Sequence, residues 1–156
     1  MLAGHQDSVS TVRWGKCHNE ESKVGDSPKA LNDFCLLSCS FDFTVCVWKA
    51  DPETGVWSVE STLGAMQGNK HAYYSAQFLS NDKEIIAYTF NGAMHQWKKS
   101  AEGRWVPQLT IKGHFGEVSD LDWDQHDVAI ISCSQDQTTR LFSKWNAKGW
   151  FEFGRP

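Results

Sequence analysis

LLSCSFDFTVCVW, residues 36–48, recurs without a gap as IIAYTFNGAMHQW at 85–97 and as IISCSQDQTTRLF at 130–142. A second block, 11 residues long, repeats in step with it: GHQDSVSTVRW from Gly4, GNKHAYYSAQF from Gly68 and GHFGEVSDLDW from Gly113. An aromatic after a glycine turn closes each unit, at Gly55 and Trp57, Gly103 and Trp105, and Gly149 and Trp150. The ends of the first blocks, Trp48, Trp97 and Phe142, lie 49 and 45 residues apart. That period suits a four-stranded propeller blade and exceeds the helical repeats of about 33 or 34 residues.

Each 11-residue block alternates after an opening turn, Val118, Asp120 and Asp122 against Ser119, Leu121 and Trp123, the period of a strand. The longer blocks predict two strands joined at Phe41-Asp42-Phe43, Phe90-Asn91-Gly92 and Gln135-Asp136-Gln137. Asp, Asn and Gly suit such a turn because they bond the local backbone or tolerate positive φ. A fourth strand is predicted to start near Trp57, Trp105 and Trp150. The expected fold is all-β: an arc of three four-stranded antiparallel propeller blades, at residues 1–64, 65–112 and 113–156. Since propellers close with about four to eight blades, further blades are expected on both sides, in a ring of about seven. The first unit carries 15 extra residues around KCHNEESKVGDSPKALND, polar with Gly25 and Pro28, expected to form an exposed, mobile loop.

The net charge of -4 and the scattered lysines give no electrostatic footprint for nucleic acid. No apolar run approaches the roughly 18 residues needed to span a bilayer. The start MLAGHQDS lacks the basic and apolar regions of a signal peptide, so a soluble, cytoplasmic protein with no membrane partner is expected. The five cysteines, Cys17, Cys35, Cys39, Cys46 and Cys133, include no Cys-x-x-Cys pair. Cys39 and Cys133 share one place in their repeats, inside apolar strands, where a thiol serves as a small hydrophobe. A zinc site from Cys17, His18, Cys35 and Cys39 would match no standard spacing, so no metal and no other cofactor is expected.

The Gly-His openings at Gly4-His5 and Gly113-His114, the turn aspartates Asp42 and Asp136, and Trp48 at a strand end give the chain a resemblance to the WD40 family along nearly its whole length. No unit has the Trp-Asp dipeptide: Trp48 and Trp97 precede lysines, and Phe142 precedes Ser143. The resemblance implies a buried relay of His, Ser or Thr, Asp and Trp that ties each opening loop to the next two strands. The first unit has it complete as His5, Ser38, Asp42 and Trp48. The second has Asn69, Ala87 and Asn91 in place of the polar members and keeps Trp97. The third has His114, Ser132 and Asp136 but ends in Phe142, which has no N–H to donate, so the second and third blades are expected to lean more on apolar packing. GHFGEVSDLDWD, SQDQTTRLF, ESTLGAMQGN and DPETGVW further resemble the Elongator-subunit branch of that family. This likeness implies a non-catalytic scaffold that supports wobble-uridine modification of transfer RNA, with the large scaffold and catalytic subunits as partners, tRNA met indirectly, and a nuclear as well as cytoplasmic location.

His5, Ser38 and Asp42 are also the residue types of a nucleophilic triad. There is no Gly-x-Ser-x-Gly elbow, and the same types recur as His114, Ser132 and Asp136, which is expected of architecture rather than of one active site. An enzyme is therefore not expected, and no small-molecule substrate. Trp14, Trp123, Trp57, Trp105 and Trp150 are expected in the core, since base stacking would need interleaved basic residues. Phe41, Phe43, Phe90 and Phe115 fall where turns usually carry polar residues, which makes them candidates for partner contact or for packing between blades. A different WD40 adaptor, in signalling or cytoskeletal assembly, and a direct RNA-binding module remain the alternative function classes. Salt-dependent RNA affinity would select the last.

Overall fold

The computed structural model describes residues 2–16, 34–64, 71–79, 82–124, 126, 128–146 and 149–154. The expected loop insertion, Asn69, Cys17 and His18 lie outside the described residues. Every element among the described residues is a strand. β1 (Val9–Lys16), β2 (Phe34–Ser40), β3 (Val45–Ala50) and β4 (Trp57–Leu63) pair in that order. β5 (Tyr73–Phe78), β6 (Glu84–Thr89), β7 (Met94–Lys99) and β8 (Trp105–Pro107) form a second sheet, and β9 (Val118–Trp123), β10 (Ala129–Ser134), β11 (Thr139–Asn146) and β12 (Gly149–Gly154) a third. All pairings are antiparallel. The three sheets are propeller blades stacked face to face in an open arc.

Stacking follows from the period of two in the central strands. Leu37, Val45 and Val47 of the first blade pack against Ile85, Ala87 and Trp97 of the second. Ile86, Tyr88 and Met94, on the second blade's other face, pack against Val118, Leu121, Ile130 and Phe142 of the third. This second seam also carries charge. Glu84, 2% exposed, accepts from Lys144 Nζ of the third blade at 2.9 Å and from Gln96 Nε2 at 2.7 Å. The Gln96 carbonyl accepts the Trp150 indole N–H at 3.1 Å. Burial pushes the Glu84 carboxyl up, but Lys144, with help from Lys98, outweighs it and leaves the group below its ordinary range.

Two sequence expectations need correction. The inner strands do not alternate throughout, because each carries a bulge: register shifts fall between Val9 and Thr11, between Tyr73 and Ser75, and where Ser134 pairs with Val118 after Cys133 pairs with Asp120. The extra residues, Ser10, Tyr74 and Ser119, reset the phase, so Val118 and Leu121 are both buried while Ser119 and Asp120 are exposed. The second correction is Trp14. Its equivalent Phe78 is buried against the first blade, where Gly15 leaves room for the ring, and Trp123 is partly buried in the second seam. Trp14 sits on the face of the first blade that no other described blade covers, and is 63% exposed against Phe34 and Trp57, each with ring centroids at 5.8 Å.

Candidate partner-binding face

The three-residue turns between the second and third strands of each blade stand side by side on one face. Their third residue has positive φ in every blade, 68° at Phe43, 83° at Gly92 and 66° at Gln137, the left-handed position that closes a three-residue hairpin loop. Each turn is tied back to its inner strand by one backbone bond: Phe41 N–H to Ser8 O at 3.0 Å, Phe90 N–H to Ala72 O at 3.4 Å, Gln135 N–H to Glu117 O at 2.9 Å. Aspartate then fixes the turn from within. Asp42 Oδ1 accepts the Thr44 N–H at 2.9 Å and the Thr44 hydroxyl at 2.6 Å, and Asp42 Oδ2 accepts the Gln6 N–H at 2.8 Å.

In the first blade the relay residues are joined. His5 Nδ1 donates to Asp42 Oδ2 at 2.9 Å, since a carboxylate only accepts. Ser38 Oγ then donates to His5 Nε2 at 2.8 Å and accepts the Trp48 indole N–H at 2.7 Å. Burial raises the Asp42 carboxyl, but the Thr44 hydroxyl, the Gln6 N–H and His5 together hold it below its ordinary range. What sets Ser38 apart from a free nucleophile is the Trp48 indole, whose N–H occupies a lone pair of the Ser38 oxygen.

The second blade holds its turn locally. The Thr89 hydroxyl donates to Asn91 Oδ1 and the Thr89 N–H to Ala93 O at 3.0 Å, and Ala93 N–H donates to Asn91 Oδ1 at 3.1 Å. In the third, His114 meets Asp136 at 3.0 Å and Ser132 at 2.8 Å, and Thr138 repeats the part of Thr44. Phe142 is buried in the apolar seam in the indole's place. That blade does not lean on apolar packing alone. Arg140, 2% exposed, donates from Nη1 to Glu152 at 3.0 Å and from Nε to Thr138 Oγ at 3.3 Å, and its Nη2 lies 3.9 Å from Asp136. Burial raises the Asp136 carboxyl, yet Thr138, the Phe115 N–H and His114 hold it well below its ordinary range. Sequence reasoning missed Thr44 and Thr138, whose signal was the repeated D-x-T, and Arg140, which had none because Cys46 and His95 occupy its place in the other units.

The four candidate phenylalanines do not form one group. Phe41 and Phe90 meet edge to face across the first seam at 5.5 Å. Tyr74, unnoticed in the sequence, continues the row: it contacts Phe90 at 5.4 Å and stacks on Tyr88 at 6.2 Å. Phe43 makes no ring contact among the described residues. Phe115 is 85% exposed, its only described ring contact being the Arg140 guanidinium at 5.5 Å, at the rim of a cleft of about 560 Å³ lined by Asn91, Lys112, His114 and Glu152.

The family model for "WD domain, G-beta repeat" matches residues 1–49 and 105–143, more than half of the chain and the two units in which His, Ser and Asp are joined. The chain belongs to the WD40 repeat family. Among the proteins similar to it is Elongator complex protein 2 of Rattus norvegicus, 39% identical over 100% of this chain and 19% of that protein. That of Dictyostelium discoideum is 38% identical over 93% of this chain and 16% of that protein, and that of Arabidopsis thaliana 31% identical over 100% and 20%. The chain therefore spans about one fifth of the length of the curated relatives it matches.

Proposed function

We propose that this arc is part of an Elongator subunit and works as a non-catalytic scaffold, supporting wobble-uridine modification of transfer RNA by holding the large scaffold and catalytic subunits in place. The observation that carries this reading is likeness to Elongator complex protein 2 along the entire chain, at 39% identity to the rat protein. The chemistry supports a holding role. Both His–Ser–Asp groups spend their hydrogen bonds on turn geometry, which leaves the turns to display Phe41, Phe43, Phe90 and Phe115 as the partner-binding residues. Contact with tRNA is then indirect, and the protein acts in the cytoplasm and in the nucleus.

The test is pull-down of the other subunits by the tagged full-length protein, with circular dichroism as the control for folding. Phe41→Ser with Phe43→Ser should weaken assembly and leave the fold intact, because aromatic anchors contribute through desolvated contact. Ser38→Ala should lower stability alone. Unchanged assembly in the double variant would reject this face as the partner site. A Ser38→Ala protein that folds, assembles and fails to support modification would reopen an enzymatic reading.

A further inference from the structure

One position on the third strand separates the blades by charge. The third blade has Arg140 there and meets it with two carboxylates, Glu152 at 3.0 Å and Asp136 at 3.9 Å. The first blade has Cys46, a buried neutral thiol. The second has His95, and the equivalents of the two carboxylates are Pro107, which pairs with Trp97 as Glu152 does with Phe142, and Asn91. A titratable ring thus stands where the third blade supplies counter-charge and the second supplies none.

His95 is the second residue of β7, close to the Phe90 turn, and its ring packs at the first seam. It lies edge to face with Tyr73 at 5.7 Å and stacks on Trp97 at 6.2 Å, two buried side chains of that seam. Among the described residues it has these ring contacts and no hydrogen bond, and its partner across β6 is Ala87. Tyr73 carries the contact to the first blade. It is wedged against Gly64, where an added Cβ would stand 2.8 Å from the tyrosine ring, and its carbonyl shares the Ser10 hydroxyl with Cys39 O, at 2.9 and 3.0 Å. The charged groups that act on the imidazole are His71, ahead of β5, and Lys112, after β8. The first blade faces it with Cys39, Val45 and Leu63, and the seam's other charges, Lys99 and Glu60, pair with each other at 3.6 Å from the far end of β7. Burial above all, then His71 and Lys112, holds the ring below its ordinary 6.5.

We infer that His95 makes the first seam an acid-sensitive joint, which opens between Tyr73 and the first blade when the imidazole takes a proton. The inference does not depend on the scaffold reading above. Neutral, the ring packs as one more aromatic. Charged, it is a second cation beside Lys112 with no carboxylate to offset it, the cost that the third blade avoids through Glu152 and Asp136. Trp97 offers a ring face to a cation, but burial withdraws the water that would solvate the charge, and His71 and Lys112 repel it. The sign follows: closure is intact above 6.5 and is lost as pH falls from there through the folded-state value, because the open seam binds the proton more readily. His5 and His114 differ in kind, since each donates to an aspartate.

Cys39, a free thiol fully buried in this seam beside Tyr73, reports its opening. The full-length protein is treated with N-ethylmaleimide at steps between about pH 7.5 and about pH 5.5, and labelling of the Cys39 peptide is read by mass spectrometry. His95→Gln and His95→Phe, which take no proton, run beside it, so the ratio of unaltered protein to variant at each pH cancels the thiol's own pH dependence. That ratio should rise as pH falls, by at most about tenfold at the acid end, the linkage limit for a ring that titrates near its ordinary value once the seam opens. His95→Arg, charged throughout, should label faster than His95→Gln already at the neutral end, and adding Asn91→Asp, which restores the third blade's aspartate, should slow it. Thermal melts confirm that each variant compared is folded, and the neutral pair decides the matter even where His95→Arg does not fold. A ratio that stays flat with pH for both neutral variants, or a folded His95→Arg that labels no faster than His95→Gln, would overturn the inference.

Discussion

In the first blade the relay runs from Asp42 through His5 and Ser38 to the Trp48 indole; in the third it stops at Ser132, and a buried arginine meets the aspartate from the other side. Both turns nevertheless share their inner bonds: aspartate to the N–H of the residue after histidine, and aspartate to the threonine N–H and hydroxyl. Shaping the turn therefore needs the aspartate and its nearest donors, and the far end of the relay is free to vary. The two solutions differ in reach. The indole ties the turn to its own third strand, whereas Arg140 also ties it to Glu152 on the outer strand and lies against Phe115.

The largest expected effect comes from removing that arginine. Arg140→Ala strips a buried cation from the exposed Glu152 and from Asp136 and should cost about 2 kcal/mol, the range for losing hydrogen bonds to a charged group. Cys46→Ala, at the same place in the first blade, should cost about 1 kcal/mol. Chemical denaturation of the full-length protein gives both numbers, and a loss under about 1 kcal/mol for Arg140→Ala would remove it from the third blade's closure.

Trp48→Phe comes next, because it converts the first relay into the third. Ser38 would lose one donor, at about 1 kcal/mol for the hydrogen bond. Adding His5→Ala should then cost less than His5→Ala does in the unaltered protein, since the members act as one network. Strict additivity would mean that Trp48 is a packing residue whose indole bond contributes nothing to the turn.

How much of this was legible in the sequence depends on whether a feature repeats. The relay positions were readable because His5, Ser38 and Asp42 recur in register as His114, Ser132 and Asp136, and the turns because Asp42, Asn91-Gly92 and Asp136 mark them. Features that occur once were not. Arg140 replaces a cysteine and a histidine, Tyr74 replaces two serines, and the Glu84–Lys144 pair joins residues 60 positions apart whose equivalents are Cys35 and Lys99 or Ala50. The bulges were hidden for another reason: inserting one residue into an 11-residue block changes no composition, only the phase of alternation. Trp14 looked like its buried equivalent Phe78 because burial here is set by the neighbouring blade and not by the strand itself.

Acid should separate the two turns with a smaller effect. Asp42 and Asp136 both have folded-state pKa values below their ordinary 3.8, so each contributes stability that is present above that value and lost as pH falls through the folded one. Asp136 is depressed the more strongly, with a guanidinium nearby that stays charged. On acidification below about pH 4, the first turn should therefore loosen before the third. Amide exchange at Thr44 and Thr138, which donate to the two aspartates, reports each turn separately. Loss of protection at Thr138 first would reverse the assignment of the stronger carboxylate site.

The smallest effect tests what the first turn gives up for its display. Phe43 holds φ at 68°, where Gly92 sits in the second blade, and a bulky residue there carries a backbone cost that glycine does not. Phe43→Gly and Phe43→Ala both lose the ring, so their difference isolates the backbone. At an ordinary position alanine is the more stable by about 0.5–1 kcal/mol; here glycine should be, by about 0.5 kcal/mol. Glycine and alanine at Gln137 should give the same sign, since its φ is 66°. If Phe43 is kept for contact and not for the turn, both Phe43 variants should weaken assembly equally in spite of their difference in stability. Assembly that tracked stability instead would make Phe43 a packing residue of the turn, and would leave Phe41, Phe90 and Tyr74 as the aromatic surface this face offers.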